Sequence, residues 1–321
     1  MQTTDQLLSR IAFSGSIEQV LQEVCKAYEL GVLHTYEFVT VGLEDCNLVI
    51  TLENTQRYFV KIFAKERSHA DVVRYVDVMR AALSGGVLLP KLFLANGVEV
   101  YSPVCSPDLQ LLVMQFVEGQ TFFSLHRIPT TEELQQLMRQ VATLHTIDYR
   151  PVQFFDSWAV PNIGLLFEKV SAYLSPEDRE LVDKVISQFR TIDLVLLPHA
   201  FVHGDLIKTN VIKATHGGVV LLDFSVANWY PRIQELAVIA VNLLFDEGKT
   251  GLRERVNTVS KEYQVHARLT EYEHSSLYVY ALAAATMEFL GGYQEKYAKQ
   301  NNSAEVEFWL ELGRSTLKDG L

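Results

Sequence analysis

From His199 to Phe224 the chain reads HAFVHGDLIKTNVIKATHGGVVLLDF. Residues 199–223 make a β-like island inside a region whose apolar residues otherwise recur at helical spacing. The polar segment His203-Gly204-Asp205-Leu206-Ile207-Lys208-Thr209-Asn210 interrupts the island, and Gly217-Gly218 marks a turn. Val219-Val220-Leu221-Leu222 is then an apolar strand that ends on Asp223-Phe224. An HGD tripeptide, or a strand ending in Asp, is weak alone. Here they occur in order, with an amide, Asn210, between two carboxylates that lie 18 residues apart.

On the N-terminal side, residues 3–31 carry helical spacing with few breakers. Short β-branched or aromatic segments follow at 35–41, 47–52 and 57–63. Turns are expected at Leu43-Glu44-Asp45 and Glu53-Asn54-Thr55, giving an antiparallel meander. Residues 67–83 read as a helix that stops before Ser84-Gly85-Gly86. Strands are expected near 91–95, 99–103 and 111–117. Beyond Gly119 the chain is mainly helical. Thr130-Thr131-Glu132-Glu133 carries a capping pattern for a helix to about His145. Further helices are expected at 163–173, 176–190, 233–245, 252–264, 271–294 and 303–317. The fold class is therefore α+β, with a sheet lobe holding one inserted helix at 1–118 and a larger helical lobe at 119–321.

The totals exclude several classes. The 321 residues are 48% hydrophobic and 21% charged, which suits a folded chain with two cores. A net charge of −11 argues against a nucleic-acid binder. The three cysteines, Cys25, Cys46 and Cys105, form no CxxC pair, so neither a disulfide framework nor a zinc site is expected and a cytoplasmic location fits. The opening MQTTDQLLSRIAF lacks the basic-then-apolar plan of a signal peptide. The apolar stretch Tyr278–Tyr293 is broken by Glu288, Gly291 and Gly292, so no membrane partner is expected.

The pattern at 203–223 resembles the aminoglycoside phosphotransferase and choline kinase superfamily, which shares the two-lobed protein-kinase-like fold. That family's catalytic loop is H-x-D-x-x-x-x-N, followed by a hydrophobic strand ending in a metal-binding Asp. Phosphoryl transfer asks a protein mainly to position groups and to neutralise charge. The resemblance implies that Asp205 orients the acceptor hydroxyl and takes its proton, that Asn210 and Asp223 hold Mg2+, and that His203 braces the loop. Ser225 stands where protein kinases have the Gly of DFG. Trp229–Ala237 looks like the family's next helix start, with Glu235 in place of its Asp. The family role of that acid is support of the catalytic loop; a helix N-terminal carboxylate is an equal reading.

The same resemblance implies an ATP site in the sheet lobe. Tyr58-Phe59-Val60-Lys61-Ile62-Phe63 matches the family's V-x-K strand, with Lys61 sharing a face with Phe59 and Phe63. Its acid partner is sought on the following helix among Glu66, Asp71 and Asp77, with Asp77 preferred because it lies inside the helix. Val41–Asn47 resembles the G-x-x-N-x-N loop of homoserine-kinase-like members, which brings Asn47 to the phosphates. Gln115-Phe116-Val117-Glu118-Gly119 looks like the hinge, where backbone groups of Gln115 and Val117 would hold adenine. Lys208 and Arg232 are candidates for an acceptor carboxylate or a phosphate, or else surface cations. The expected partner is a small-molecule hydroxyl compound: an amino alcohol, a homoserine-like amino acid, a sugar or an aminoglycoside. No activation segment is visible, so a protein acceptor is not expected. An inactive kinase-like binding protein is the alternative, although Lys61, Asp205, Asn210 and Asp223 are all present.

Overall fold

The computed structural model describes residues 4–42 and 44–321. Thr3 of the expected first helix and Leu43 of the first expected turn lie outside them. The chain divides into two compact units. One comprises the residues up to Leu83 together with Leu89–Glu118; the other comprises Ser84–Leu88 and Gly119–Leu321.

The first unit is a four-stranded antiparallel sheet, β1 (Leu33–Val39), β2 (Cys46–Leu52), β3 (Arg57–Ile62) and β4 (Leu111–Gln115), in that order. Alternation assigns its faces. Leu48, Val60 and Val113 line up across three strands, as do Asn47, Lys61 and Leu112 one register step away. The first set packs with Leu7, Val20, Leu21 and Val24 of helices α1 (Thr4–Arg10) and α2 (Ile17–Ala27). That leaves Lys61 on the opposite face, where Tyr75 of α3 (His69–Ser84) lies against Phe63. The expected strands at 91–95 and 99–103 are isolated bridges instead, Leu92 to Met114 and Tyr101 to Leu111. Asn96 and Gly97, both at positive φ, turn the chain between Ala95 and Val98, which cuts both segments short.

The second unit is helical around two small sheets. Its helices are α4 (Thr131–Thr146), α5 (Ile163–Val170), α6 (Pro176–Phe189), α7 (Ile233–Val238), α8 (Leu252–Gln264), α9 (Glu271–Tyr293) and α10 (Ala304–Gly320). The island resolves into β6 (His199–Val202), β7 (Val211–Ala214) and β8 (Val219–Leu221). β7 and β8 pair with the short β5 (Gly119–Thr121). A fourth strand, β9 (Asn228–Pro231), pairs with β6 where a helix start was expected. β5 presses so closely on β7 that a Cβ on Gly119 would stand 2.3 Å from the Lys213 carbonyl. The expected helix 233–245 changes at Val238 into a π-turn over Ile239–Leu243. No described helix is long and apolar enough to cross a membrane.

Helix α4 starts on a capping box between Thr130 and Glu133. Glu133 also takes two guanidinium bonds from Arg127, at 2.6 and 2.8 Å. These Arg127 bonds, chiefly, hold its carboxyl at about 2 against an ordinary 4.5. A depressed carboxylate contributes stability above its unfolded pKa and loses it as pH falls through the folded one. Glu133→Gln should therefore lower the unfolding free energy by about 2 kcal/mol at neutral pH. The difference from wild type should shrink between pH 4.5 and about 2 in urea titrations.

Candidate active site

β6 delivers His203 into the interior, where it has no exposed surface. Gly204 turns the chain at φ +88°, beside the Val226 carbonyl. The His203 ring is fixed from both sides. Its Nδ1 accepts the Asp205 N–H at 3.2 Å, so Nε2 carries the proton and donates to the Leu222 carbonyl at 2.8 Å. Burial pushes its pKa down to about 4, and the ring is neutral at physiological pH. Phe224 packs on it with centroids 4.4 Å apart. A neutral, doubly bonded imidazole is a brace between loop and strand.

Glu235 of α7 closes the other side of the loop. Its carboxylate accepts the His203 N–H at 2.6 Å and the Gly204 N–H at 3.2 Å. It is fully buried, and burial raises its pKa to about 7 against the opposing pull of those two amides. Of the two readings open from sequence, this geometry is loop support.

Asn210 ties the two carboxylate segments together. Its Nδ2 donates to Asp205 Oδ2 at 2.6 Å and to the Asp205 carbonyl at 3.0 Å. Its own carbonyl accepts the Leu222 N–H at 2.9 Å, next to Asp223. Asp223 sits in the left-handed region at φ +56°, and its Oδ1 accepts the Ser225 N–H. Such backbone strain is characteristic of functional sites. The Asp205 carboxyl is pushed well above the usual range, first by burial and then by the charges of Glu288, Asp156, Asp223 and Glu305. A site this acidic calls for a cation. Among the described residues no group of three or more His, Cys, Asp and Glu could hold a metal ion. Magnesium commonly takes one or two protein oxygens, with phosphate and water completing its shell. The Asp223 carboxylate and Asn210 Oδ1, which no described donor reaches, are of that kind.

In the first unit Lys61 and Asp45 form a buried pair at 2.7 Å, each side chain 3% exposed. Asp77 is corrected as its partner: it lies 48% exposed on α3, 3.8 Å from Arg80. Asp45 immediately precedes β2, and β2 pairs with the strand that carries Lys61. Its Oδ1 accepts from Ala64 N–H at 2.9 Å and Arg67 Nε at 3.1 Å. Arg10 bonds the carbonyls of Asp45 and Gly42, which ties this segment to α1. Asn47 stands opposite Lys61 across the ladder, and its buried Oδ1 has no partner among the described residues, so a bound water or ligand donor would satisfy it. Gln115 gives its N–H to the Lys91 carbonyl at 2.8 Å, which turns both its backbone groups away from β3. That engagement corrects the expected use of its N–H for adenine, because the N–H already has a partner. Neither backbone group of Val117 has a backbone partner among the described residues.

Two candidate cations are committed elsewhere. Arg232 donates two hydrogen bonds to the Glu273 carboxylate, at 2.6 and 2.9 Å, and another to the Arg268 carbonyl. This corrects its expected role towards an acceptor or phosphate, because its fork is filled. Lys208 is buried, donates from Nζ to the Phe245 carbonyl at 2.6 Å, and lies over Phe308. Burial lowers its pKa. Its ammonium anchors the loop and is not a surface cation.

The chain matches the family model described as "Phosphotransferase enzyme family" over residues 35–272, most of its length. It belongs to the phosphotransferase enzyme family. A homoserine kinase of Methylorubrum populi is 23% identical over 278 residues, covering 85% of this chain and 84% of that protein. Two solved structures share the fold. An amicoumacin kinase in complex with AMP-PNP and Ca2+ superposes with a TM-score of 0.68 at 16% identity, covering 98% of this chain and 97% of the other. A microcompartment-associated aminopropanol kinase gives 0.69 at 12% identity, covering 95% and 99%. This phosphotransferase thus has the kinase-like fold that its H-x-D-x-x-x-x-N segment led one to expect.

Asp45→Asn withdraws the carboxylate from two buried or nearly buried cations. It should cost about 3 kcal/mol in chemical denaturation. Asp77→Asn, at an exposed site, should stay within about 0.5 kcal/mol of wild type.

Proposed function

We propose that this phosphotransferase moves the γ-phosphoryl group of Mg-ATP to a hydroxyl of a small molecule. The observation that carries the reading is the clamp of Asn210 on Asp205, 2.6 Å from amide to carboxylate, with Asp223 tied to the same strand end. The clamp fixes one carboxylate oxygen and leaves the other to meet an acceptor hydroxyl. Asp205 orients that hydroxyl and takes its proton at the carboxylate. Asn210 Oδ1 and the Asp223 carboxylate are the residues that would hold magnesium, whose charge offsets that of the transferring phosphoryl group. Burial first, and then its acidic neighbours, raise the pKa of Asp205, and a cation held by these residues would oppose that.

In the nucleotide-binding unit, Lys61 is the phosphate cation, paired with and aimed by Asp45. Asn47 is its neighbour towards the same phosphates, and the Gln115 carbonyl with the Val117 backbone is the adenine edge. The acceptor class spans amino alcohols, homoserine-like amino acids, sugars and aminoglycosides. Similarity to a homoserine kinase over most of both chains supports homoserine as the first acceptor to try.

The test is ADP release from Mg-ATP against a panel of homoserine, choline, aminopropanol, simple sugars and aminoglycosides. Acceptor-dependent turnover is expected, and Asp205→Asn should lower it by roughly 100-fold or more. Failure to bind ATP with magnesium present would overturn the reading.

A further inference from the structure

The π-turn at Ile239–Leu243 places Asn242 in the interior of the helical unit, 1% exposed. π-turns are frequent at functional sites, because the extra residue redirects a side chain that a regular helix would aim elsewhere. The Asn242 amide is used at both ends. Oδ1 accepts the backbone N–H of Lys208 at 3.0 Å, and Nδ2 donates to Glu288 Oε1 at 2.8 Å. The chemistry of the partners fixes this orientation. A backbone N–H can only donate, so the oxygen must face Lys208 and the NH2 must face an acceptor. Glu288, reaching across from α9, is that acceptor.

Lys208 lies between Asp205 and Asn210 in the loop, and its other polar groups are also engaged. Its carbonyl accepts the Phe123 N–H at 3.0 Å, and Nζ donates to the Phe245 carbonyl. The two ends of the segment are held by His203, Glu235 and the Asn210 clamp; its middle is held at Lys208. Among the described residues, Asn242 supplies a bond there from a side chain whose orientation a second residue selects.

We infer that Asn242 is a positioning residue for the catalytic loop, and that Glu288 sets its amide so that the oxygen faces the Lys208 N–H. This rests on the phosphotransferase reading of the loop. If the acceptor at Glu288 is replaced by a donor, the amide turns over and the Lys208 N–H loses its partner. The pair should then be exchangeable in polarity. Asn242→Asp places two carboxylates face to face. Adding Glu288→Gln restores one donor and one acceptor between them while still offering an oxygen to Lys208.

Two readouts decide the matter. The first is hydrogen exchange at the Lys208 amide, resolved to the residue. Asn242→Ala should speed it by about tenfold, the scale of one hydrogen bond. Asn242→Asp should speed it too, and Asn242→Asp with Glu288→Gln should return it to near the wild-type rate. The second is ADP release from Mg-ATP, with homoserine and with water as acceptors. The single variants should lower kcat on the order of 100-fold, as a displaced loop does, with KM for ATP unchanged. The double variant should recover most of that loss. Normal Lys208 protection in Asn242→Ala, or no recovery in the double variant, would overturn the inference. Wild-type protein that binds no ATP with magnesium present would overturn the kinase reading instead, and the exchange data would still decide the positioning role.

Discussion

A buried carboxylate with two backbone amides for partners is the constraint on which the helical unit is arranged. Glu235 has no exposed surface, and its bonds run to His203 and Gly204 at the start of the Asp205 loop. Gly204 turns the chain in the left-handed region, which glycine adopts readily. The carboxylate supplies acceptors for amides that the turn would otherwise leave without partners inside the protein. From there the order propagates. His203 reaches Leu222, Leu222 reaches Asn210, and Asn210 reaches Asp205. The first two links join the loop to Leu222, just past β8 and next to Asp223, and the third lies within the loop, so the two acids are placed by one continuous network.

The chemistry-bearing side chains sit at strand ends and in short loops, while the apolar residues beneath them are fully enclosed. β6, β7 and β8 are each three or four residues long, yet Phe201, Val202, Val211 and Leu221 are at 0% exposure. Short strands with such deep anchoring fix direction without needing length. Burial, and then the acidic surroundings, oppose the ionisation of Asp205, and perturbed groups of this kind cluster at functional sites.

Much of this was legible in the sequence, for identifiable reasons. The meander could be read because short β-branched or aromatic segments are separated by turn residues such as Glu53-Asn54-Thr55. The loop residues could be read because Asp205, Asn210 and Asp223 occur in a fixed order with an apolar strand between. Other features leave no local trace. β9 contains Pro231 and borders a helix, so its pairing with β6 depends on a partner that composition does not disclose. The π-turn uses the same residue types as an α-helix, and only its hydrogen bonds distinguish it. Asp45 looked like a turn residue, because its approach to Lys61 follows from the β2–β3 register and not from spacing along the chain. Asp77 had the expected position in sequence and the wrong face of the helix.

The place of Asp45 has a consequence for control. In protein kinases the acid that pairs with the strand lysine rides on a helix, and moving that helix switches the enzyme. Here the acid sits beside the neighbouring strand, one hairpin away from its lysine, inside the same hydrogen-bonded sheet. Lysine and acid are therefore joined through the sheet, while α3 meets the lysine with the Tyr75 ring, 5.4 Å from Nζ. Their pairing needs no acid carried by that helix.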